Sequence, residues 1–222
     1  MHQLADDIWQ IPLVPRQGIN AYVIGDVLID AGLVVHGKKL LREIQGRPIV
    51  AHALTHVHND HAGGSKRVAE TLGIPVWVGA GDASALRRGR AEIAPGRRGA
   101  SLMAVYGGSP KVEPARELHE GDEVGPGFAV LETPGHSPGH VSFWRERDRV
   151  LICGDVFFDM NILTTAWGLH QPPHLFNYDS AQNRQSERRL AALEPELTLF
   201  GHGPPVRGSA ALAAFVAALP AA

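Results

Sequence analysis

The segment Thr55-His56-Val57-His58-Asn59-Asp60-His61 constrains this chain more than any other feature. It follows Ile49 to Leu54, a continuous apolar run that reads as a strand buried on both faces. It precedes Ser65 to Leu72, which reads as a helix stopped by Gly73 with Pro75 just beyond. The motif therefore occupies a strand-to-helix connection. His56 and His58, two apart, project to the same side of extended chain, where two imidazoles can chelate one metal ion. Asp60 and His61 come after the chain has begun to turn, so they can aim at a second position.

One loop cannot enclose two metals, because each site takes about four or five donors with one position left open for catalysis. Three later points can supply the rest: His136 in Thr133-Pro134-Gly135-His136, Asp155 in Ile152-Cys153-Gly154-Asp155, and His202 in Phe200-Gly201-His202-Gly203. Each is a polar residue just after an apolar segment, beside a glycine that lets the chain turn closely around a site. Twelve histidines against three tyrosines mark the same bias.

Around these points the chain reads as alternating short strands and helices. Strands are expected at Ile8 to Val14, Ala21 to Ile24, Val27 to Ile29, Val76 to Val78, Phe128 to Glu132, Val141 to Trp144, Val150 to Ile152 and Leu197 to Phe200. Gly25-Asp26 is a hairpin signal. Helices are expected at His36 to Gln45, at Ser180 to Leu193 with Asp179 or Ser180 as N-cap, and at Ala210 to Leu219. Two stretches, Ala83 to Pro114 and Phe157 to Tyr178, read as irregular excursions, the first opening with a short helix. Strands and helices recur in two similar sets, so layered α/β is the natural class.

THVHNDH, TPGHSPGH, CGD and FGHG, in this order, resemble the signature of the metallo-β-lactamase superfamily, and the match runs from Leu28-Ile29-Asp30-Ala31-Gly32 to His202. The resemblance implies a four-layer αβ/βα sandwich, two mixed β-sheets flanked by helices, formed by a single domain over residues 1–222. It implies that His56, His58 and His136 bind one metal, that Asp60, His61 and His202 bind a second, and that Asp155 bridges them. Asp30 would lie buried behind the ligands, although a plain turn aspartate after a strand is an equal reading. Two divalent ions are then expected, zinc first, with iron or manganese also suited to imidazole and carboxylate donors. The implied chemistry is hydrolysis by a metal-bridging hydroxide, which Asp60 could orient, acting on small ester, thioester or lactone substrates.

Departures narrow the branch. Common class B β-lactamases carry Cys where this chain has Asp155 and Lys where it has Phe158; lactonases for acyl-homoserine lactones carry Tyr at that later position. The flavodiiron branch has Glu in place of His58. Glyoxalase II is nearest around Asp155, yet it has an added helical C-terminal domain and a Gly-Cys-Gly stretch absent here. A mononuclear iron persulfide dioxygenase on the same fold is the alternative, and a metal-binding protein without turnover is a third reading.

Arg87, Arg88, Arg90, Arg97 and Arg98 either attract an anionic substrate or form a solvated charged face. Met160, Asn161, Trp167, His170, His174, Phe176 and Tyr178 either shape an acyl pocket or pack the second excursion down. His140 reads as structural; His2, His36, His52 and His119 lie outside any cluster. A net charge of -2, from 21 basic and 23 acidic residues, argues against nucleic acid as the main partner. The single cysteine, Cys153, excludes an intrachain disulfide and fits a reducing compartment and a small buried hydrophobe. Asp6 and Asp7 stand where a secretory leader has basic residues, and the longest apolar run, Ala210 to Leu219, is too short to span a bilayer. The expectation is a soluble cytoplasmic enzyme for a small molecule, with its oligomeric state open.

Overall fold

A computed structural model describes residues 1–92 and 108–220. The first sheet has seven strands in chain order: β1 (His2–Ala5), β2 (Ile8–Pro12), β3 (Asn20–Ile24), β4 (Val27–Ile29), β5 (Ala51–Ala53), β6 (Val76–Gly79) and β7 (Arg116–Leu118). β1 to β4 run antiparallel and β4 to β7 parallel. The second sheet holds β8 (Glu123–Val124), β9 (Phe128–Glu132), β10 (Val141–Arg145), β11 (Val150–Gly154), β14 (Leu197–Phe200) and β15 (Val206–Arg207). It is antiparallel except where β11 pairs with β14. A separate hairpin joins β12 (Phe158–Met160) and β13 (Trp167–His170).

Strand alternation explains the layering. Tyr22 and Ile24 of β3 and Val150 and Ile152 of β11 point between the sheets, in one core with Phe128, Val130, Phe143 and Leu199. Their neighbours Ala21 and Val23 face α1 (Gly37–Glu43) and, beyond the single turn α2 (Asn59–Ala62), α3 (Ser65–Leu72), with Leu40 and Val68 in the seam. Leu151 and Cys153 face α5 (Ser180–Ala191) and α6 (Ala210–Ala217) through Leu190 and Leu212. A further cluster packs α4 (Ala80–Arg88) through Ala83 and Leu86 onto Val76 and Val78. Central strands buried on both faces need the unbroken apolar runs seen in the sequence. The four-layer αβ/βα sandwich is therefore present.

The long helices and central strands lie where expected. Asp179 is the N-cap of α5, accepting from the amides of Ala181 and Gln182. Four short strands, β1, β7, β8 and β15, lie outside the runs that the sequence marks as strands. β7 and β8 are Arg-Glu-Leu and Glu-Val, too charged and too short to show a period of two. The second excursion is partly regular, since it contains the β12–β13 hairpin. Among the described residues no helix is long and apolar enough to cross a membrane.

Glu187 is fully buried on α5, accepting from Gln171 Nε2 at 2.8 Å and Asn183 Nδ2 at 3.1 Å. Burial pushes its carboxyl from an ordinary 4.5 up to about 7. The folded state then holds a proton that the unfolded state has lost, so stability falls as pH rises from 4.5 to 7. The whole step is on the order of 3 kcal/mol. In Glu187→Gln that slope should vanish, with Gln171 flipping its amide to present an acceptor. Urea unfolding should therefore show the variant gaining on the wild type between pH 5 and pH 8. A difference that does not change with pH would rule this out.

Candidate metal centre

Chain direction collects the polar residues. Asp30 follows β4, Thr55 to His61 follow β5, His136 lies between β9 and β10, Asp155 follows β11, and His202 follows β14. In open α/β sheets the carboxyl ends of parallel strands form the crevice where ligands sit. Here two parallel pairs, β4–β5 and β11–β14, bring their ends together from the two sheets.

All seven residues singled out in the sequence meet there. His56 Nε2 lies 3.0 Å from His58 Nδ1, which lies 2.9 Å from His136 Nε2. Asp60, His61 and His202 form a second group, with His202 Nε2 3.4 Å from Asp60 Oδ2. Asp155 lies between the groups. Its Oδ2 is 3.3 Å from His136 Nε2 and 3.2 Å from His202 Nε2, while Oδ1 faces His61 Nε2 at 3.3 Å.

The donor set fits divalent cations. Three imidazole nitrogens of the first group converge on one point, which proton sharing alone satisfies poorly. His61 Nε2 and Asp155 Oδ1, buried and 3.3 Å apart, form no well-aligned hydrogen bond with each other or with any other group among the described residues. The far ring nitrogens are meanwhile held by oxygen. His61 Nδ1 bonds Asp30 Oδ2 at 2.8 Å, His136 Nδ1 bonds Asn177 Oδ1 at 2.8 Å, His56 Nδ1 bonds Thr55 Oγ1 at 3.1 Å, and His202 Nδ1 bonds the Gly18 carbonyl at 2.5 Å. A proton kept on Nδ1 makes Nε2 the nitrogen that a metal takes, and at His61 and His202 the cation must first displace a proton from it.

Electrostatics divides the two groups. Burial, then the neighbouring His61, keeps His56 well below its ordinary pKa; burial and His136 take His58 down to about 3. Both are neutral donors. His61 and His202 are also buried, which opposes a charge, but Asp155 overrides burial at each, with Asp30 helping at His61 and Asp60 at His202. His61 is raised well above its ordinary value and His202 to about 10. Asp155, despite its burial, is held well below the carboxylate range by His61 and His202. Protons thus balance the carboxylates, and a cation taken by the second group must displace them.

Supporting residues tie these loops down. Asp30 settles as a buried acceptor of three bonds, from Thr55 N, Thr55 Oγ1 and His61 Nδ1, each at 2.8 Å. His140 Nε2 accepts the Asp155 amide at 3.1 Å, so its Nδ1 donates to Thr133 Oγ1 at 2.9 Å. Asp82 on α4 accepts from Ser137 Oγ at 2.7 Å, from the Gly139 amide at 2.9 Å and from the Val57 amide, joining the His136 loop to the His56 loop. Burial pushes the Asp82 carboxyl up to about 6. Gly201 has no alternative: a Cβ there would stand 2.1 Å from Asp155 Oδ1. The sequence reading missed Asn177, Asp82 and Thr133, because nothing local distinguishes them from ordinary turn, helix and strand residues.

The two excursions contribute unequally. A cavity of about 390 Å³ is lined by five of the seven residues, His58, Asp60, His136, Asp155 and His202, and otherwise mainly by hydrocarbon. Arg90 and Glu92 are its charged residues outside that set. Arg87 is paired with Glu113 and Glu117, and Arg88 with Glu92, on the exposed surface, so neither supplies free positive charge to the cavity. Arg97 and Arg98 lie outside the described residues. His52 is buried between Leu28 and Ser65 and takes no part in the centre.

Comparison with known proteins agrees with this geometry. The chain is 30% identical over 207 residues to "Probable metallo-hydrolase YflN" of Bacillus subtilis, covering 82% of this chain and 76% of that one. It is 30% identical over 158 residues to a hydroxyacylglutathione hydrolase of Rhodospirillum rubrum, covering 69% of this chain but only 48% of that protein. The crystal structure of TTHA1623 in a di-iron-bound form superposes with a TM-score of 0.67 at 33% identity, covering 90% of this chain and 94% of the other. Residues 14–202 match the family model described as the metallo-beta-lactamase superfamily. With motif order, layered fold and converging imidazoles in agreement, the chain belongs to the metallo-β-lactamase superfamily.

Proposed function

We propose that this protein is a binuclear metal-dependent hydrolase of small esters, thioesters or lactones, with thioesters the best match. The observation that carries the reading is the seat of Asp155, whose carboxylate reaches His136 on one side and His61 and His202 on the other. His56, His58 and His136 would hold one cation, Asp60, His61 and His202 the other, and Asp155 both. The donors are imidazoles and carboxylates, which suits zinc and admits iron or manganese. Cys153 is outside the set, its thiol turned to the Leu199 carbonyl and pushed up by burial. Two divalent ions bound there supply Lewis acidity, bringing a water's pKa toward neutrality and polarising a carbonyl.

The chain's own groups account for the rest. Asp60, half-buried and held ionised by His202 against the effect of burial, is an acceptor placed to orient a water. Phe158 packs its ring 4.6 Å from that of His202 and has no proton to give. Among the described cavity residues outside the seven, the polar side chains are Arg90, Glu92 and Thr165. An arginine side chain is no general acid near neutral pH. A leaving group that departs as a stable anion needs no proton donor, and a thiolate, with a thiol pKa of about 8.5, meets that condition far better than an alkoxide. We place the protein in the cytoplasm, acting on a small molecule.

The test has two arms. Protein purified without added metal is analysed for metal content, where two zinc ions per chain are expected. It is then assayed without oxygen against thioesters, lactones and aryl esters. Hydrolysis that a chelator abolishes and zinc or manganese restores is the expected result. One iron per chain, no hydrolysis of any class, and oxygen uptake with glutathione persulfide would replace this reading by the dioxygenase.

A further inference from the structure

The cavity over the metal-binding side chains has a hydrocarbon wall built from two separate parts of the chain. In the β12–β13 hairpin, Phe158 and Met160 alternate onto the cavity side of one strand, and Ile162 continues the surface. From the other side the loop between β2 and β3 adds Val14 and Ile19, and Phe176 lines the same space. Arg16 ties the two parts together, donating to the Thr165 carbonyl at 3.0 Å with its guanidinium 5.0 Å over the Trp167 ring. The wall is continuous with the polar end, because the same cavity contains Asp60, Asp155 and His202. The two remaining charges, Arg90 and Glu92, are opposite in sign.

We infer that the acyl part of the substrate is a straight, unsubstituted hydrocarbon chain, a medium-length fatty acyl group lying between the β12–β13 hairpin and the 13–19 loop. The position of its carbonyl rests on the hydrolase reading; the seat of its chain does not. Along the wall of Val14, Ile19, Phe158, Met160 and Ile162, an acyl group bearing hydroxyls or charge would set polar atoms against hydrocarbon. An alkyl chain gains with every carbon transferred from water to that wall, and the gain corresponds to about fourfold in affinity per methylene. A cavity of about 390 Å³ sits within the range that holds a small ligand, not a folded partner.

The experiment uses two series on the zinc-loaded full chain. Acyl thioesters from acetyl through butyryl and hexanoyl to octanoyl are compared by KM, and the matching free carboxylates by calorimetric Kd, with and without zinc. KM and Kd are both expected to fall about fourfold per methylene until the chain outgrows the cavity, and the Kd increment should persist without zinc. Leu163 lines the cavity yet is 81% exposed, so Leu163→Asp replaces a solvent-facing side chain outside the core; with Ile162→Asp it should cut the acetyl-to-octanoyl KM ratio severalfold. Val35→Asp, 76% exposed and outside the cavity, should leave that ratio as in the wild type. A Kd that stays flat from acetate to octanoate overturns the inference, whatever the hydrolysis assays give. A Kd that falls with chain length, with no thioester or ester cleaved, upholds the chain site and removes the hydrolase reading.

Discussion

Asp155→Ala is expected to lose metal from both positions and to lower kcat/KM for any hydrolysed substrate by more than about a hundredfold. Two unit charges 4 Å apart interact by about 4 kcal/mol at an effective dielectric of 20, and two divalent ions by four times that. A carboxylate placed between them offsets much of the repulsion. Asp155 is the acid that reaches both groups: its Oδ2 is 3.3 Å from His136 Nε2 and 3.2 Å from His202 Nε2. Its removal also strips His61 and His202 of the charge that holds their protons in the metal-free chain. Metal content after dialysis, read beside far-UV circular dichroism, separates loss of metal from loss of fold. Asp155→Asn, with the same volume, serves as the second variant. Two metals per chain with near-normal turnover in both would show that Asp155 does not bridge.

The second large effect concerns Asp30, which touches no substrate. It is 2% exposed and accepts three bonds of 2.8 Å, from the amide and hydroxyl of Thr55 and from His61 Nδ1. Asp30→Ala leaves the Thr55 amide and an imidazole N–H buried and unpaired. Unpaired buried donors cost about 1–3 kcal/mol each. A loss of roughly 3 kcal/mol or more follows, which lowers the melting temperature of a chain this size by about 10 °C. With its ring no longer oriented, His61 should bind metal about 10–100-fold more weakly. Asp30 has φ of +58°, a conformation Asn adopts readily, so Asp30→Asn keeps the turn and should fall between wild type and Ala. Equal melting temperatures and zinc affinities in all three proteins would show Asp30 to be an ordinary turn residue.

Both predictions depend on residues whose legibility in the sequence differs. His56, His58, Asp60 and His61 were readable because all four sit in one short loop, where spacing alone puts two imidazoles on one side. His136, Asp155 and His202 were readable as polar residues ending apolar segments, and gained their assignment from the order of the motifs. Asp30 stayed open between two roles, because a turn aspartate after a strand looks the same whether or not an imidazole lies behind it. Asn177 holds His136 from 41 residues away and left no local trace. The arginine stretch was ambiguous for a similar reason: Glu113 and Glu117 reach Arg87 only once β7 has paired with β6.

The sequence by itself determined the layered α/β class. Apolar runs ending in glycine and polar residues can be buried on both faces only in a sheet covered on both sides, and their polar ends must then fall at its edge. Tertiary structure decided which of those ends meet. The stacking of the two sheets places Asp155 between imidazoles from β5, from the β9–β10 turn and from β14, a juxtaposition that depends on the packing of Phe128, Phe143, Ile152 and Leu199 against the first sheet. It also decided the hydrocarbon wall, since Ile19 and Met160 face one cavity only because the hairpin folds back toward the 13–19 loop. Period and spacing act over a few residues, whereas contacts across a hundred or more are set by how whole sheets share a core.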